Sequence, residues 1–489
     1  MSLVVSGLMA KKYLYNLLLT LANIIFPILT FPYVSHVLGP KGVGEVQFTF
    51  TFAQYFGVIA GLGIPIYGFQ QIARFKDDLQ ARSKAFSEMM IIYVAASLIM
   101  AVLYIGIIYL SPYFANDRDM YWAALPLVVM ACTFIDWVYT GLEEFKAVAL
   151  RSVLFKLLGL IFIYTFIKTG ADSRYYLYVI VFSYIGNNLL NILLLRGKVF
   201  LTFSNLNLKQ HIKPLLFIFA TTITVIMADT DTVLLGFITN HKIVGYYAAA
   251  DKLSTISIPV VTSLSVVVMP KMVEFITKHD LAMAQQTLRK AFKFVVFLGV
   301  PIAVGIIVLT PQLISLFLGN QFYPSGNSLR LLSVLPLISG MLLFFQNLIL
   351  IPAGKNSEMF KCTFWGLVMS LLLNFALIPF FQQMGASIAN VLSEIAVVVF
   401  YFVVSRKYFS FTYPWQAILK ALISSLFFFP IAWGVQQLAL PTIYMLLVSV
   451  ICCIAIYTMV QTLIFKNDLI HEVIDTIKEK IKMTKIATE

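Results

Sequence analysis

Apolar runs of about twenty residues or more follow one another along this chain, with only short polar breaks between them. Such a run, made helical, matches the hydrocarbon thickness of a bilayer. In hydrocarbon the backbone has no water to bond, so each run has to satisfy itself as a helix. The reading is therefore all-α: a polytopic membrane protein with about 14 transmembrane helices. The runs fall near 12–37, 43–70, 85–110, 119–141, 147–168, 174–195 and 213–236. They continue near 243–269, 291–310, 328–351, 358–380, 385–405, 415–438 and 441–465. Charged residues make up 12 % of the chain, against roughly 25 % in soluble domains, which excludes a soluble enzyme. Lys11 and Lys12 precede a first run too long for a signal-peptide core and without a small-residue cleavage site, so it reads as a span. The four cysteines (Cys132, Cys362, Cys452, Cys453) lie in apolar stretches without metal-ligand spacing.

Charge gives the orientation. With the N-terminus inside, 28 of the 35 Lys and Arg fall on inner segments, six on outer ones, and Lys252 stays within a span. Basic residues on inner loops fix orientation during insertion, so both termini are expected in the cytoplasm. The net charge of +13 is then mostly topological and implies no nucleic acid. Beyond residue 465 the chain reads either as a solvated tail or as an amphipathic helix on the inner surface, through Leu469, Val473, Ile474, Ile477 and Ile481. No loop is long enough for a nucleotide-binding domain and no P-loop occurs, so ATP hydrolysis within this chain does not drive it.

A pattern recurs about 200 positions apart. Val37-Leu38-Gly39, a loop, then Val43-Gly44-Glu45 is matched by Leu234-Leu235-Gly236, a loop, then Val244-Gly245-Tyr246. Each copy lies between the first two spans of a six-helix set, which makes the sets parallel repeats. Repeats of this kind are a transporter signature; the alternative is chance recurrence of common Leu-Gly turns. The expected organisation is a six-helix bundle over 1–210, a second over 211–410, two extra spans over 411–465 and a cytoplasmic tail over 466–489.

The residues also carry a resemblance. Phe31-Pro32-Tyr33-Val34-Ser35 followed by Leu38-Gly39-Pro40-Lys41-Gly42-Val43-Gly44 resembles the first loop of bacterial polysaccharide-unit flippases. These are the Wzx-type O-antigen and capsule transporters of the multidrug/oligosaccharidyl-lipid/polysaccharide superfamily. Leu62-Gly63-Ile64-Pro65-Ile66-Tyr67-Gly68, Ile72-Ala73-Arg74 and Asp136-Trp137-Val138-Tyr139-Thr140-Gly141-Leu142-Glu143 are similar to that family as well. So are Arg151-Ser152 with Lys156, and Tyr246-Tyr247-Ala248-Ala249-Ala250-Asp251-Lys252-Leu253. The likeness runs over essentially the whole chain; His36 and Gln70-Gln71 depart from it, where relatives are expected to carry basic or charged residues. The resemblance implies a flippase of the bacterial cytoplasmic membrane for polyprenyl-pyrophosphate-linked oligosaccharide repeat units. It implies no catalysis and no cofactor. The lipid-linked oligosaccharide and membrane lipids would be its partners, along with a polysaccharide polymerase and glycosyltransferases.

Charges inside spans are costly and face a bundle interior or a wet cavity. Asp229 and Asp231 lie in the seventh expected span, Asp251 and Lys252 in the eighth. Asp229 and Lys252 are equidistant from the intervening turn, so they either form a neutralised pair that fixes register or act in transport. In the second case Lys252 attracts phosphate while Asp229, Asp231 or Asp251 takes a coupling proton or sodium ion. Asp229-Thr230-Asp231 also spells a glycosyltransferase metal motif, but no catalytic domain surrounds it. Around the inner hairpin, equal spacing from the turn pairs Asp136 with Lys156 and Glu143 with Arg151. These are either ion pairs at helix ends or part of a cationic vestibule; Arg74, Arg151 and Lys156 join Lys252 as candidates for the headgroup. Asn23, Tyr33, Glu45 and Gln54 are the candidate cavity-lining polar residues of the first two spans, with helix–helix bonding as the alternative.

Two rival functions remain. One is a drug or metabolite exporter of the same superfamily. The other is a polytopic polysaccharide polymerase or ligase, which needs an acid–base constellation; none of the five histidines has an evident carboxylate partner in the sequence.

Overall fold

A computed structural model describes residues 2–221, 229–409 and 411–468. It is helical throughout, with no strand among the described residues. The tail beyond 468 and residues 222–228 of the seventh expected span lie outside the described residues. The chain forms two compact units, Met1–Ala248 and Ala249–Glu489.

The first unit opens with α1 (Ser2–Gly61), whose helical path breaks at Gly39, φ 63° and ψ −177°. A side chain there would meet the backbone, so glycine is the residue that turns the chain cheaply. From Leu21 to Gly61 the helix runs 41 residues, about 60 Å at 1.5 Å per residue, roughly twice the hydrocarbon thickness. It thus carries two expected crossings. Gly63, at φ 79°, and Pro65 then start α2 (Ile64–Arg74) as a separate short helix. The Asp78 carboxylate accepts from the N–H groups of Gln80 and Ala81, both at 3.0 Å, and so caps α3 (Leu79–Leu110). α4 (Arg118–Val129) and α5 (Asp136–Gly141) come next, the chain bending by 41° between them at the turn Ala131–Thr133. α6 (Phe145–Phe166), α7 (Ser173–Leu193), α8 (Lys209–Thr221) and α9 (Thr230–Ile238) follow. α10 (His241–Thr255) carries the boundary between the units.

α1 packs on α3, α4, α6 and α7, and α2 lies against α5. The core here is aromatic and aliphatic: Trp137 and Tyr139 from α5, Met89 and Tyr93 from α3, Ile64 and Ile72 from α2.

In the second unit, α11 (Ile258–Thr277) leads to α12 (Leu281–Leu313), extended to Leu318 by a wide turn. α13 (Gly326–Leu332) and α14 (Leu335–Phe345) share a span. α15 (Asn356–Phe381) and α16 (Gln383–Tyr408) form a hairpin. A Cβ on Gly385 would sit 2.5 Å from the Leu377 carbonyl oxygen, so glycine lets these helices close at their turn. α17 (Gln416–Leu426) and α18 (Phe428–Gln436) make one span, and α19 (Thr442–Leu463) returns beside it. α12 is the hub, packed on α11, α14, α17 and α19.

Eleven helices among the described residues are long and apolar enough to cross a membrane, or twelve with the bent α4–α5 pair. The expected count of fourteen is not reproduced. Leu21–Gly61 counts once although it is two crossings long, and the seventh expected span is described only in part. The eighth, 243–269, breaks between Thr255 and Ile258, where Pro259 opens α11. Outward faces are strongly apolar, as at Leu110, Val102, Phe380 and Trp433. Water does not tolerate that much contiguous apolar surface; this is a multi-pass membrane protein.

Candidate functional site

A guanidinium inside a membrane helix has to find partners or pay heavily in solvation. Arg151 of α6 is in that position, with 2 % of its side chain exposed. Its NH2 group donates to Asp136 at 2.8 Å and its Nε to Asn187 Oδ1 at 3.1 Å. Asn191 donates to the same Asp136 oxygen at 2.7 Å, and the Tyr139 hydroxyl donates to the Asn191 carbonyl oxygen. The Tyr139 ring lies 5.0 Å from the guanidinium carbon. Arg151 NH1 is buried with no hydrogen-bond partner among the described residues. A pair near the α5–α6 turn is thus extended into a five-residue network with one guanidinium nitrogen unused.

The pairing differs from the one that equal spacing suggests. Arg151 takes Asp136, Lys76 takes Glu143 at 3.1 Å, Lys198 takes Glu144, and Lys156 donates to Asn23 Oδ1. Counting residues from a turn assumes two straight antiparallel helices. The 41° bend and the packing of α5 on α2 remove that condition. Arg74 is exposed at the end of α2, its guanidinium over the neighbouring Phe75 ring at 5.4 Å.

Beside this network lies a cavity of about 450 Å³, walled by α1, α2, α3, α4 and α7. Its polar groups are few: Gln54, Tyr93, Tyr184 and Asn188. On α7 the residues Tyr184, Asn187, Asn188 and Asn191 fall three to four apart, so they form one polar stripe. Tyr184 and Asn188 face the cavity, while Asn187 and Asn191 bond the Arg151–Asp136 pair. The sequence reading did not single out these four. The signal was present as three asparagines within five positions of an otherwise apolar span.

The other candidates are dispersed. The Tyr33 hydroxyl donates to the Ile167 carbonyl oxygen at 2.8 Å, and its ring packs on Tyr164 with centroids 4.3 Å apart. Glu45 accepts from Ser173 at 3.0 Å and lies 3.6 Å from Lys41. Asp231 is buried and accepts from the Tyr247 hydroxyl at 3.1 Å, while Tyr55 donates to Thr230 Oγ1 at 3.1 Å. Asp229 precedes α9. Asp251 is half-buried on α10; its carbonyl oxygen accepts from the hydroxyls of Ser254 and Thr255. Lys252 is exposed in the last turn of α10. Asp229 and Lys252 fall in different compact units.

One expectation is corrected. His211 does have a carboxylate partner: its Nε2 lies 2.7 Å from Glu88, and its Nδ1 2.9 Å from the Tyr67 hydroxyl. Both His211 and Glu88 are almost fully buried. The Asn207 N–H donates to Glu88 at 2.7 Å, so the group ties the stretch before α8 to α3.

The two copies of the repeated motif meet. A Cβ on Gly44 would come within 1.7 Å of the His241 carbonyl oxygen, and one on Gly245 within 1.8 Å of the Pro40 carbonyl oxygen. Val43 and Val244 are buried on either side. Burial pushes the His241 imidazole below its ordinary pKa, although the Glu45 and Asp117 carboxylates oppose this.

A family model described as "Polysaccharide biosynthesis protein" matches residues 9–276, more than half of the chain. The chain belongs to the polysaccharide biosynthesis protein family. The resemblance drawn from its motifs is borne out: it is a Wzx-type member of the MOP superfamily. Two curated relatives carry the name "Putative O-antigen transporter". That of Shigella dysenteriae is 24 % identical over 403 residues, covering 80 % of this chain and 98 % of its own. That of Escherichia coli K12 is 21 % identical over 399 residues, covering 79 % and 94 %. Among solved structures, the lipid II flippase MurJ in an inward closed conformation superposes with a TM-score of 0.75 at 15 % identity, over 94 % of this chain and 100 % of that one. An inward-facing multidrug resistance MATE transporter gives 0.57 at 17 % identity, over 78 % and 93 %. At these identities the likeness shows the fold.

Proposed function

We propose that this protein is a flippase that moves polyprenyl-pyrophosphate-linked oligosaccharide repeat units across the bacterial cytoplasmic membrane by alternating access. What supports the reading is the name carried by both full-length relatives, joined to one observation. Arg151 is a buried cation with an unused donor, one helix face away from a 450 Å³ cavity. A diphosphate with sugars attached cannot cross hydrocarbon bare, because desolvating its charge is prohibitive. A cation held beside a partly polar cavity offsets that cost. In this reading Arg151, Lys156, Arg74 and Lys252 attract the headgroup, and Asn23, Tyr33, Glu45 and Gln54 line its path. Asp229, Asp231 and Asp251 are the candidates for a coupling proton or sodium ion. The six-helix sets over 1–210 and 211–410 carry the alternation, and both termini face the cytoplasm. Glycosyltransferases supply the completed unit and a polymerase takes it up. In this reading the protein catalyses no covalent step.

The test is lipid analysis of a deletion strain. Loss of the protein should strand completed lipid-linked units on the inner leaflet and abolish surface polysaccharide. Lys252→Ala, present in the membrane at normal level, should fail to restore the polymer; normal polymer removes Lys252 from the path. Uptake by vesicles should stop when ion gradients are collapsed, and unaffected initial rates would remove the coupling role of the aspartates. Drug resistance on expression, with normal polysaccharide on deletion, would move the protein to the exporters.

A further inference from the structure

The second unit holds a cavity of about 600 Å³, and none of the residues assigned above lines it. It opens where α12 and α17 begin and α19 ends, so three helices bring the same membrane-side end to one place. On α12, Arg289, Lys293 and Phe297 are spaced four apart and share a face of the helix. Lys420 comes from α17, and Lys466 from just beyond α19. Among the described lining residues, one carboxylate stands against these four cations: Asp468, 2.7 Å from Lys293. Lys420 donates to the Phe465 carbonyl oxygen at 3.4 Å. Among the described residues neither Arg289 nor Lys466 has a carboxylate partner.

The walls are set by the fold. Lys466 takes a left-handed φ of 44°, and the Asn467 N–H turns back to the Gln461 carbonyl oxygen at 2.9 Å. The Asn467 side chain donates to Gln461 Oε1 at 2.9 Å, and Gln461 in turn donates to Ser424 at 3.1 Å. The cavity is also lined by the aromatic residues Phe297, Tyr413, Trp415 and Tyr457, with Tyr457 donating to the Phe297 carbonyl oxygen at 2.9 Å. Tyr413 and Trp415 pack on each other with centroids 5.4 Å apart, and Trp415 is 55 % exposed.

A lining of cations and aromatic rings suits neither a free anion nor an apolar chain alone. It suits a molecule with both parts. Lys, Arg, Tyr and Trp at helix ends also mark the level at which lipid headgroups lie. We propose that this cavity is a lipid-phosphate site, with the phosphate on Arg289, Lys293, Lys420 and Lys466 and the first part of the tail along Trp415 and Phe297. Two lipids share that chemistry: an anionic glycerophospholipid of the bilayer and a polyprenyl diphosphate. The site stands on its own charge and shape, whether or not the chain is a flippase.

Trp415 supplies the readout. Brominated phosphatidylglycerol added to the purified full-length protein in nonionic detergent should quench a saturable part of its fluorescence. Brominated phosphatidylcholine should need at least tenfold more, and Trp415→Phe should lose that component. Combining Arg289→Gln, Lys293→Gln and Lys420→Gln should weaken quenching about tenfold or more. Lys293→Arg with Lys420→Arg should preserve it, which separates lost charge from lost folding. A polyprenyl diphosphate that displaces the brominated lipid at lower concentration assigns the site to that lipid; failure to displace it assigns the site to the glycerophospholipid. Equal quenching by phosphatidylcholine, no loss in the triple variant, or displacement by inorganic diphosphate as effective as by a lipid would each overturn the proposal.

Discussion

Arg151 shows what a single residue has to satisfy in a membrane helix. Its partners come from α5 and α7, and each removes part of the cost of burying a charge. Arg151→Ala leaves the Asp136 carboxylate with only Asn191; breaking such a pair from one side costs about 3 kcal/mol or more. Thermal unfolding of the purified protein in detergent should show a clear drop. Arg151→Lys should recover part of it but not the Asn187 bond, which needs a second donor in fork geometry. The rule that charge inside a span is significant found Arg151, Lys156 and Asp231 in the sequence. Their partners were not legible, because partner choice depends on a bend and on helices far along the chain. Glu88 and His211 are 123 positions apart, and no spacing argument joins them. The α7 asparagines were visible, and overlooked because each alone reads as a helix–helix bond.

Elements were legible where glycine and proline punctuate them, and less so where helices bend without a signal. Gly63 and Pro65 explain why the expected span 43–70 ends as two helices. Gly63→Ala would combine a positive φ, about 1–2 kcal/mol for an L-residue, with a Cβ 2.9 Å from the Phe219 backbone nitrogen. It should lower thermal stability more than an alanine at Gly434, where a Cβ meets nothing within 4 Å. The crossing at Gly44 and Gly245 is tighter still. Either one changed to alanine should cost about 3 kcal/mol or more, since backbone cannot step aside as a side chain can. His241 adds a pH dependence to the same place. Its folded pKa lies below the ordinary 6.5, so the unfolded chain binds the proton better and stability falls as pH drops through that value. Unfolding temperature should decline between about pH 7.5 and pH 5, and His241→Gln should flatten that slope; an unchanged slope would show that other groups set it.

At the scale of the whole molecule, the all-helical class was legible because hydrophobic length acts over the entire chain, and the family because its motifs follow one another in order along it. The count of fourteen is not confirmed: two expected crossings lie in the single helix Leu21–Gly61, and part of the seventh expected span lies outside the described residues. Orientation remains the prediction that charge makes most directly. Alkaline phosphatase fused after Lys242 should be active and fused after Lys278 inactive; the reverse pattern would invert the topology. A fusion at the C-terminus should also be inactive. The meeting of Gly44 with Gly245 carries a consequence for ancestry. If the two motifs descend from one duplicated segment, their copies have been free to drift apart almost everywhere. Where they touch, each leaves the other no room for even a methyl group, so an inherited change in one copy is tested at once against its sibling.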